Sequence, residues 1–263
     1  MNGSEVNKSM VNKLAIFVEG RTEQIFVERL VRFLGESVDL AIRVDGAEGG
    51  RHKPRRFIRM SGTRETEGYE FFVLIVNCGQ DARVKSDILK RYNRLVSQGY
   101  RYIIGIRDVH PHDRKDTHHI RQGFQFGLPT TPCKPVLILA IMEIEAWFLA
   151  EYAHFPRIHP SLTRARIGRE FGFDPAEDDM QLRDHPARDL EAIYFLEAIP
   201  YAKSRENVER TVDSLDFSRI RDEVAARIAD LARLTGLIRA FFTYSEQTDK
   251  VCDESLPRPR LSV

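Results

Sequence analysis

The chain has 263 residues, 42% hydrophobic and 10% aromatic, which suits one large domain or a core domain with a smaller companion and excludes a disordered chain. Lys and Arg number 40 against 39 Asp and Glu, a net charge of +1, so any nucleic-acid footprint must be local. Cys78, Cys133 and Cys252 lie far apart with no CxxC pair, which argues against a disulfide framework or a structural zinc site and for a reducing cytoplasm.

The opening "MNGSEVNKSMVNKLAIFVEG" has too short an apolar run for a signal peptide, and no later stretch approaches a membrane span. A cytoplasmic protein with no membrane partner is expected. Leu14 to Val18 reads as a buried strand, and from Arg21 to Phe33 the apolar residues Phe26, Val27, Leu30, Val31, Phe33 and Leu34 recur at helical spacing. "FFVLIVNCG", 71–79, is a second strand, followed by an amphipathic helix carrying Val84, Ile88, Leu89, Tyr92 and Leu95. "YRYIIGIRD", 100–108, is a third, and "PVLILAIMEIEAWFLAEY", 135–152, is a fourth running into a helix in which Trp147 and Phe148 read as core. Strands separated by helices imply parallel pairing, hence an α/β sheet flanked by helices over 13–155. Beyond it, "SLTRARIGREFGF", "HPARDLEAIYFLEAI" and "FSRIRDEVAARIADLARLTGLI" carry helical periodicity, the last with a core stripe of Ile220, Val224, Ile228 and Leu231. A helical C-terminal region over 156–250, packed on the sheet, is expected, with a flexible tail over 251–263.

Ligands gather at the carboxyl ends of parallel strands, and two strands end in acids, Glu19 after the first and Asp108 after the third. Singly, such an acid is a helix cap or a solvated side chain. Two in matching places suit metal-assisted phosphoryl chemistry, because a hard cation takes a few fixed carboxylate oxygens and fills its shell with water or phosphate.

"IFVEGRTEQIFVERL" resembles the first motif of Toprim domains, in the VEGxTE form of overcoming-lysogenization-defect (OLD) nucleases and small stand-alone bacterial Toprim proteins such as RloB-like ones. "IIGIRDVHPHD" lies where that family carries an Asp-x-Asp after a later strand, and the resemblance spans roughly 13–152. It implies a Toprim-like (Rossmann-like), mainly parallel sheet, with Glu19 as general acid/base or metal ligand, Gly20 letting the backbone turn closely past it, and Asp108 binding a metal, Mg²⁺ or Mn²⁺. His110 stands where the family has its second Asp. Either this softer ligand joins the site and favours Mn²⁺, Fe or Zn²⁺, or Asp113 completes it, or the site has decayed and the protein only binds. The loop "RDVHPHDRKDTHH" is rich in ligand types, with Asp116, His112, His118 and His119 as well, though a solvated loop explains most of them.

In "MEIEAWFLAE", Glu143 and Glu145 at i and i+2 cannot share a helix face, so only one points at the sheet edge unless Glu143 precedes the helix. Glu145 is the favoured metal ligand, since stand-alone Toprim relatives look similar in placing a glutamate there. Arg51, Lys53, Arg55, Arg56, Arg59 and Arg64 form a glycine-flanked basic stretch that can follow a phosphate backbone; the plainer alternative is a solvated loop. OLD-like nucleases place a basic residue near the scissile phosphate, and the resemblance makes Lys203 in "PYAKSREN" the candidate for stabilising transition-state charge. No GxxxxGK[ST] or GxGxxG occurs. The leading expectation is a metal-dependent nuclease acting on DNA or RNA, which the resemblance links to bacterial anti-phage defence and to a protein partner from a defence operon. The alternative is a catalytically degenerate Toprim-like binding or regulatory subunit. A phosphotransfer enzyme acting on a small phosphoester is the third reading.

Overall fold

The computed structural model describes residues 11–50, 53–63, 68–79 and 83–243. Six strands form one sheet in the order β3-β2-β4-β1-β5-β6. They are β1 (Asn12–Val18), β2 (Leu40–Gly50), β3 (Lys53–Gly62), β4 (Phe71–Asn77), β5 (Tyr100–Asp108) and β6 (Val136–Ala140). All neighbours run parallel except β3, which pairs antiparallel with β2. The molecule is thus α/β, with a mostly parallel sheet flanked by helices and followed by a helical C-terminal region.

Four strands are continuous apolar runs because both of their faces are covered. On β1, Leu14, Ile16 and Val18 face one core, while Ala15 and Phe17 face the other. The first face is covered by α1 (Arg21–Leu34) through Phe26, Val27, Leu30 and Val31, and the second by α2 (Arg83–Ser97) through Val84, Ile88, Tyr92 and Leu95. Leu89, expected in the α2 stripe, is 40% exposed; buried Asp87 takes the inward place beside it.

Two differences from the sequence expectation stand out. The basic stretch is not a loop: residues 53–62 are β3, closing a hairpin on β2, with Asp45 opposite Arg59 and Glu48 opposite Arg56. Likewise, the ligand-rich loop turns through Arg114–Asp116 into α3 (Thr117–Gln125), whose single buried residue, Phe124, was too weak a stripe to read.

After β6 come α4 (Glu145–Ala150), α5 (Phe155–Ile158), α6 (Arg164–Phe171), α7 (Pro186–Phe195) and α8 (Arg205–Ser214). Short α9 (Phe217–Arg219) and α10 (Ala225–Arg227) flank a π-helical turn over Ile220–Val224, and α11 (Ala229–Thr243) follows. The expected long last helix is therefore broken, with Ile228 extended at φ −122°, yet Ile220, Val224, Ile228 and Leu231 are all buried as the stripe predicts. This region shares one core with the first sheet face: Phe241 of α11 packs edge-on against Phe71 of β4 at 5.3 Å and Tyr102 of β5 at 5.7 Å. Trp147 and Phe148 are fully buried in the same core. The expected tail over 251–263 lies outside the described residues. Among the described residues no helix is long and apolar enough to cross a membrane.

Candidate functional site

Adjacent strands β1 and β5 hand their chains to opposite faces, α1 over the first core and α3 over the second. Their carboxyl ends therefore flank a crevice, the usual ligand position in an open parallel sheet. Glu19 and Asp108 meet there. The backbone N–H of Asp108 donates to Glu19 Oε2 at 3.0 Å, and Asp108 Oδ1 accepts from Ile144 N at 3.0 Å.

Four further side chains close on this pair. Glu23, in the first turn of α1, is buried and accepts the Gly20 N–H at 2.9 Å. Gly20 itself is extended (φ −143°), so it is not needed for a left-handed turn; instead a Cβ there would lie 3.1 Å from Glu23 Oε2. Its use is space for that carboxyl. Glu145 opens α4, fully buried, its Oε1 accepting from Tyr201 Oη at 2.9 Å while Oε2 has no hydrogen-bond partner among the described residues. Glu143 precedes α4, so the i, i+2 restriction does not apply, and it accepts the Ala187 N–H at the start of α7 at 2.9 Å. Lys203 Nζ lies 3.3 Å from Glu145 and 3.7 Å from Glu143. The corner that makes this possible is Met142, at φ 61°, a left-handed conformation that costs a non-glycine residue of order 1–3 kcal/mol.

Five carboxyls thus gather here, and Lys203 is in contact with two of them, Glu145 and Glu143. Burial, then the charges of Glu23, Glu145 and Glu19, hold the Asp108 carboxyl well above its ordinary range. Burial and Glu145 push Glu23 up to about 7. Burial raises Glu145 too, against the pull of Lys203. Lys203 is itself pushed up, because the attraction of Glu145, Asp108, Glu143 and Glu23 outweighs its desolvation. The cluster prefers fewer negative charges than it has acids.

No family model, curated protein or solved structure matches this chain.

Of the residues singled out in the sequence, Glu19, Asp108, Glu145 and Lys203 come together; Glu23 and Glu143 were missed as members. Asp113 does not join them: its side chain is 55% exposed, accepts from Lys115 N at 3.1 Å and pairs with Lys115 Nζ at 3.2 Å. His110 follows the rim, its N–H donating to Met142 O at 2.8 Å and its ring 6.1 Å from that of His185. His112, Asp116 and His119 instead line a cavity of about 400 Å³ with Lys85 and Arg107, on the other side of β5 from Asp108. Among the described residues no group of three or more His, Cys, Asp or Glu side chains is arranged to hold a metal ion.

The basic stretch is divided. Arg55 is held inward by Asp87 at 2.6 Å and donates to Cys78 O, so it cannot serve an exposed phosphate track. Arg56 is exposed and 3.6 Å from Glu48, and Arg59 is half-buried on β3. Arg51 and Arg64 lie outside the described residues, as does the side chain of Lys53.

Proposed function

We propose that the chain is a divalent-metal-dependent nuclease cleaving phosphodiester bonds of DNA or RNA, with a Toprim-type acidic centre. The observation that carries this reading is the Asp108 N–H to Glu19 contact, which puts two strand-end acids at one rim, within an acid cluster short of positive charge. The donors fit a hard cation: all are oxygens, and Glu145 Oε2 is buried without a hydrogen-bond partner among the described residues. Glu19 and Asp108 would hold Mg²⁺ or Mn²⁺, since Mg²⁺ is commonly bound through one or two carboxylates plus water and phosphate oxygens. Such an ion would supply charge stabilisation for an in-line displacement and ease deprotonation of the attacking water. Glu23, poised at about 7, is suited to take up or release a proton near neutrality. Lys203, half-exposed beside Glu145, can offer positive charge to a phosphate at the mouth of the crevice. The resemblance to OLD nucleases and RloB-like proteins adds a role in anti-phage defence, with a partner from the same operon.

A second reading, a binding or regulatory subunit without turnover, is favoured by one specific feature. Lys203 already serves Glu143 and Glu145 as a built-in counter-ion, and His110 stands where the resemblance calls for a second aspartate.

A screen of plasmid DNA and RNA across Mg²⁺, Mn²⁺ and Zn²⁺ separates the two. Metal-stimulated cleavage is expected for the wild type and loss of at least a hundredfold for Glu19→Gln and Asp108→Ala. Asp108→Asn keeps the acceptor for Ile144 N–H and so controls for folding. Undiminished cleavage by Glu19→Gln would sink the nuclease reading, and binding without product under every metal would favour the second.

A further inference from the structure

We propose a second, independent ligand site: a pocket for a small molecule bearing a di- or triphosphate group, on the opposite face of the sheet and away from the acidic rim. It is a cavity of about 310 Å³, between α2 and the second sheet face. Lys13 of β1 stands on the same side as Ala15 and Phe17, and its register partners are Phe71's neighbour Phe72 and Tyr100, at the starts of β4 and β5. The acidic cluster lies at the other ends of these strands; Asp45, in register with Val76 and through it Phe17, reaches further toward that end but on the second face.

Among the described residues, four cations line the cavity, Lys13, Arg43, Arg91 and Arg94, against one carboxylate, Asp45. That carboxylate is almost fully buried and already shared. Arg43 donates to it through Nε at 2.7 Å and Nη2 at 3.3 Å, and Arg91 through Nη2 at 3.2 Å. Asp45 therefore orients two guanidiniums while offsetting only one of their two charges. Arg91 is further fixed by aromatic faces, its guanidinium carbon 4.7 Å from the centre of Phe57 and 5.9 Å from that of Phe17. Its Nη1 is buried and has no acceptor among the described residues. Lys13 Nζ donates to Gln98 O at 2.9 Å, which fixes the ammonium with two N–H groups left over.

Fastening Asp45 into the sheet requires Arg43 and Arg91. It does not account for Arg94, for Lys13 or for the unmatched Arg91 donor. Like charges gathered around a concave surface repel unless an anion enters, and preorganised guanidinium forks match the oxygens of phosphate. A formal surplus of three positive charges suits a di- or triphosphate better than a single carboxylate. The volume is at the lower end for small-molecule sites, which span roughly 300–1,000 Å³. A duplex does not fit.

Isothermal titration of the full chain with inorganic triphosphate, pyrophosphate and orthophosphate tests this. Saturable one-to-one binding is expected, tightest for triphosphate. Arg94→Ala, at an exposed position, should weaken it about tenfold, the scale of one charge-assisted contact, and Lys13→Ala with Arg94→Ala further. Glu19→Gln should bind as the wild type does, which keeps this result separate from the fate of the nuclease reading. Absence of saturable triphosphate binding, or binding unchanged in the double variant with its thermal unfolding intact, overturns the proposal. So does a single-stranded oligonucleotide that requires Lys13 and Arg94 when triphosphate does not bind, which would make the surface a nucleic-acid track.

Discussion

Lys203 is the cation in contact with Glu145 and Glu143 of the acidic cluster. Its side chain is 49% exposed, whereas Glu145, its nearest partner, is fully buried. Replacing it with methionine keeps the length of the side chain and removes the charge. Glu145 would then stand ionised without compensation, or hold a proton. Because burial already favours the protonated acid, the loss should grow with pH. Lys203→Met is expected to cost roughly 1–3 kcal/mol at pH 8, below the figure for a fully buried pair because solvent screens half of this one. At pH 5.5 the deficit should shrink, and on the nuclease reading Mg²⁺ should restore part of it at pH 8. Urea unfolding at both values, with and without Mg²⁺, measures this. An equal deficit at both pH values would mean that the lysine acts by packing alone.

At the scale of elements, the least legible part of the chain is the β2–β3 hairpin. β1, β4, β5 and β6 were readable because a strand covered on both faces must be apolar throughout. In β2 that rule is broken by Arg43 and Asp45, which pair with each other while Asp45 also accepts from Arg91 on α2, 46 residues from Asp45 along the chain. No local pattern shows such a pairing. In β3 the arginines read as a phosphate track, although one of them, Arg55, is spent on Asp87. The same limit hid two members of the acidic cluster. Glu23 lies inside the quoted first motif but carries no local sign of a role until the fold buries it, and Glu143 was set aside on helix geometry that begins only at Glu145. Glu19 and Asp108 were legible because both end apolar strands, and parallel pairing brings such ends to one rim. The hairpin can be tested at Gly62, where φ is 85° and a Cβ would lie 2.0 Å from Ile42 O. Gly62→Ala combines a left-handed strain with a backbone clash, so a loss of roughly 2–4 kcal/mol is expected in urea unfolding. Because Arg43 and Asp45 ride on β2, triphosphate binding should weaken as well. A variant as stable as the wild type would show that β3 does not close on β2 at this point.

For the molecule as a whole, the buried acids set how stability responds to pH. Besides Glu23, the fully buried Glu151 at the end of α4 is raised to about 7, chiefly by burial, even though it accepts the N–H groups of Asp216 at 3.3 Å and Ala153 at 3.2 Å. Its buried neighbour His154 is lowered to about 4 for the same reason. A raised glutamate lets the folded state keep a proton that the unfolded chain has already lost, so its contribution is present below about 4.5 and disappears as pH rises through about 7. A lowered histidine works the other way: its contribution is present above about 6.5 and disappears as pH falls toward about 4. Between pH 5.5 and 8 each glutamate should therefore remove about 2 kcal/mol, while His154 returns about 1 kcal/mol over the lower part of that range. Without metal, the chain is expected to be at least about 2 kcal/mol less stable at pH 8 than at pH 5.5, because Asp108 and Glu145, also raised by burial, act in the same direction as the two glutamates. The two glutamates can then be told apart. Glu151→Gln removes the part that lies in the helical region, and on the nuclease reading the slope that remains should be reduced by Mg²⁺, because a cation bound at the acidic rim would favour ionised Glu23. Chemical denaturation across this range, for both proteins with and without Mg²⁺, reads the difference. Stability that is flat or rising from pH 5.5 to 8 would contradict the burial of both acids, and a remaining slope indifferent to every divalent ion would remove the cation from the rim.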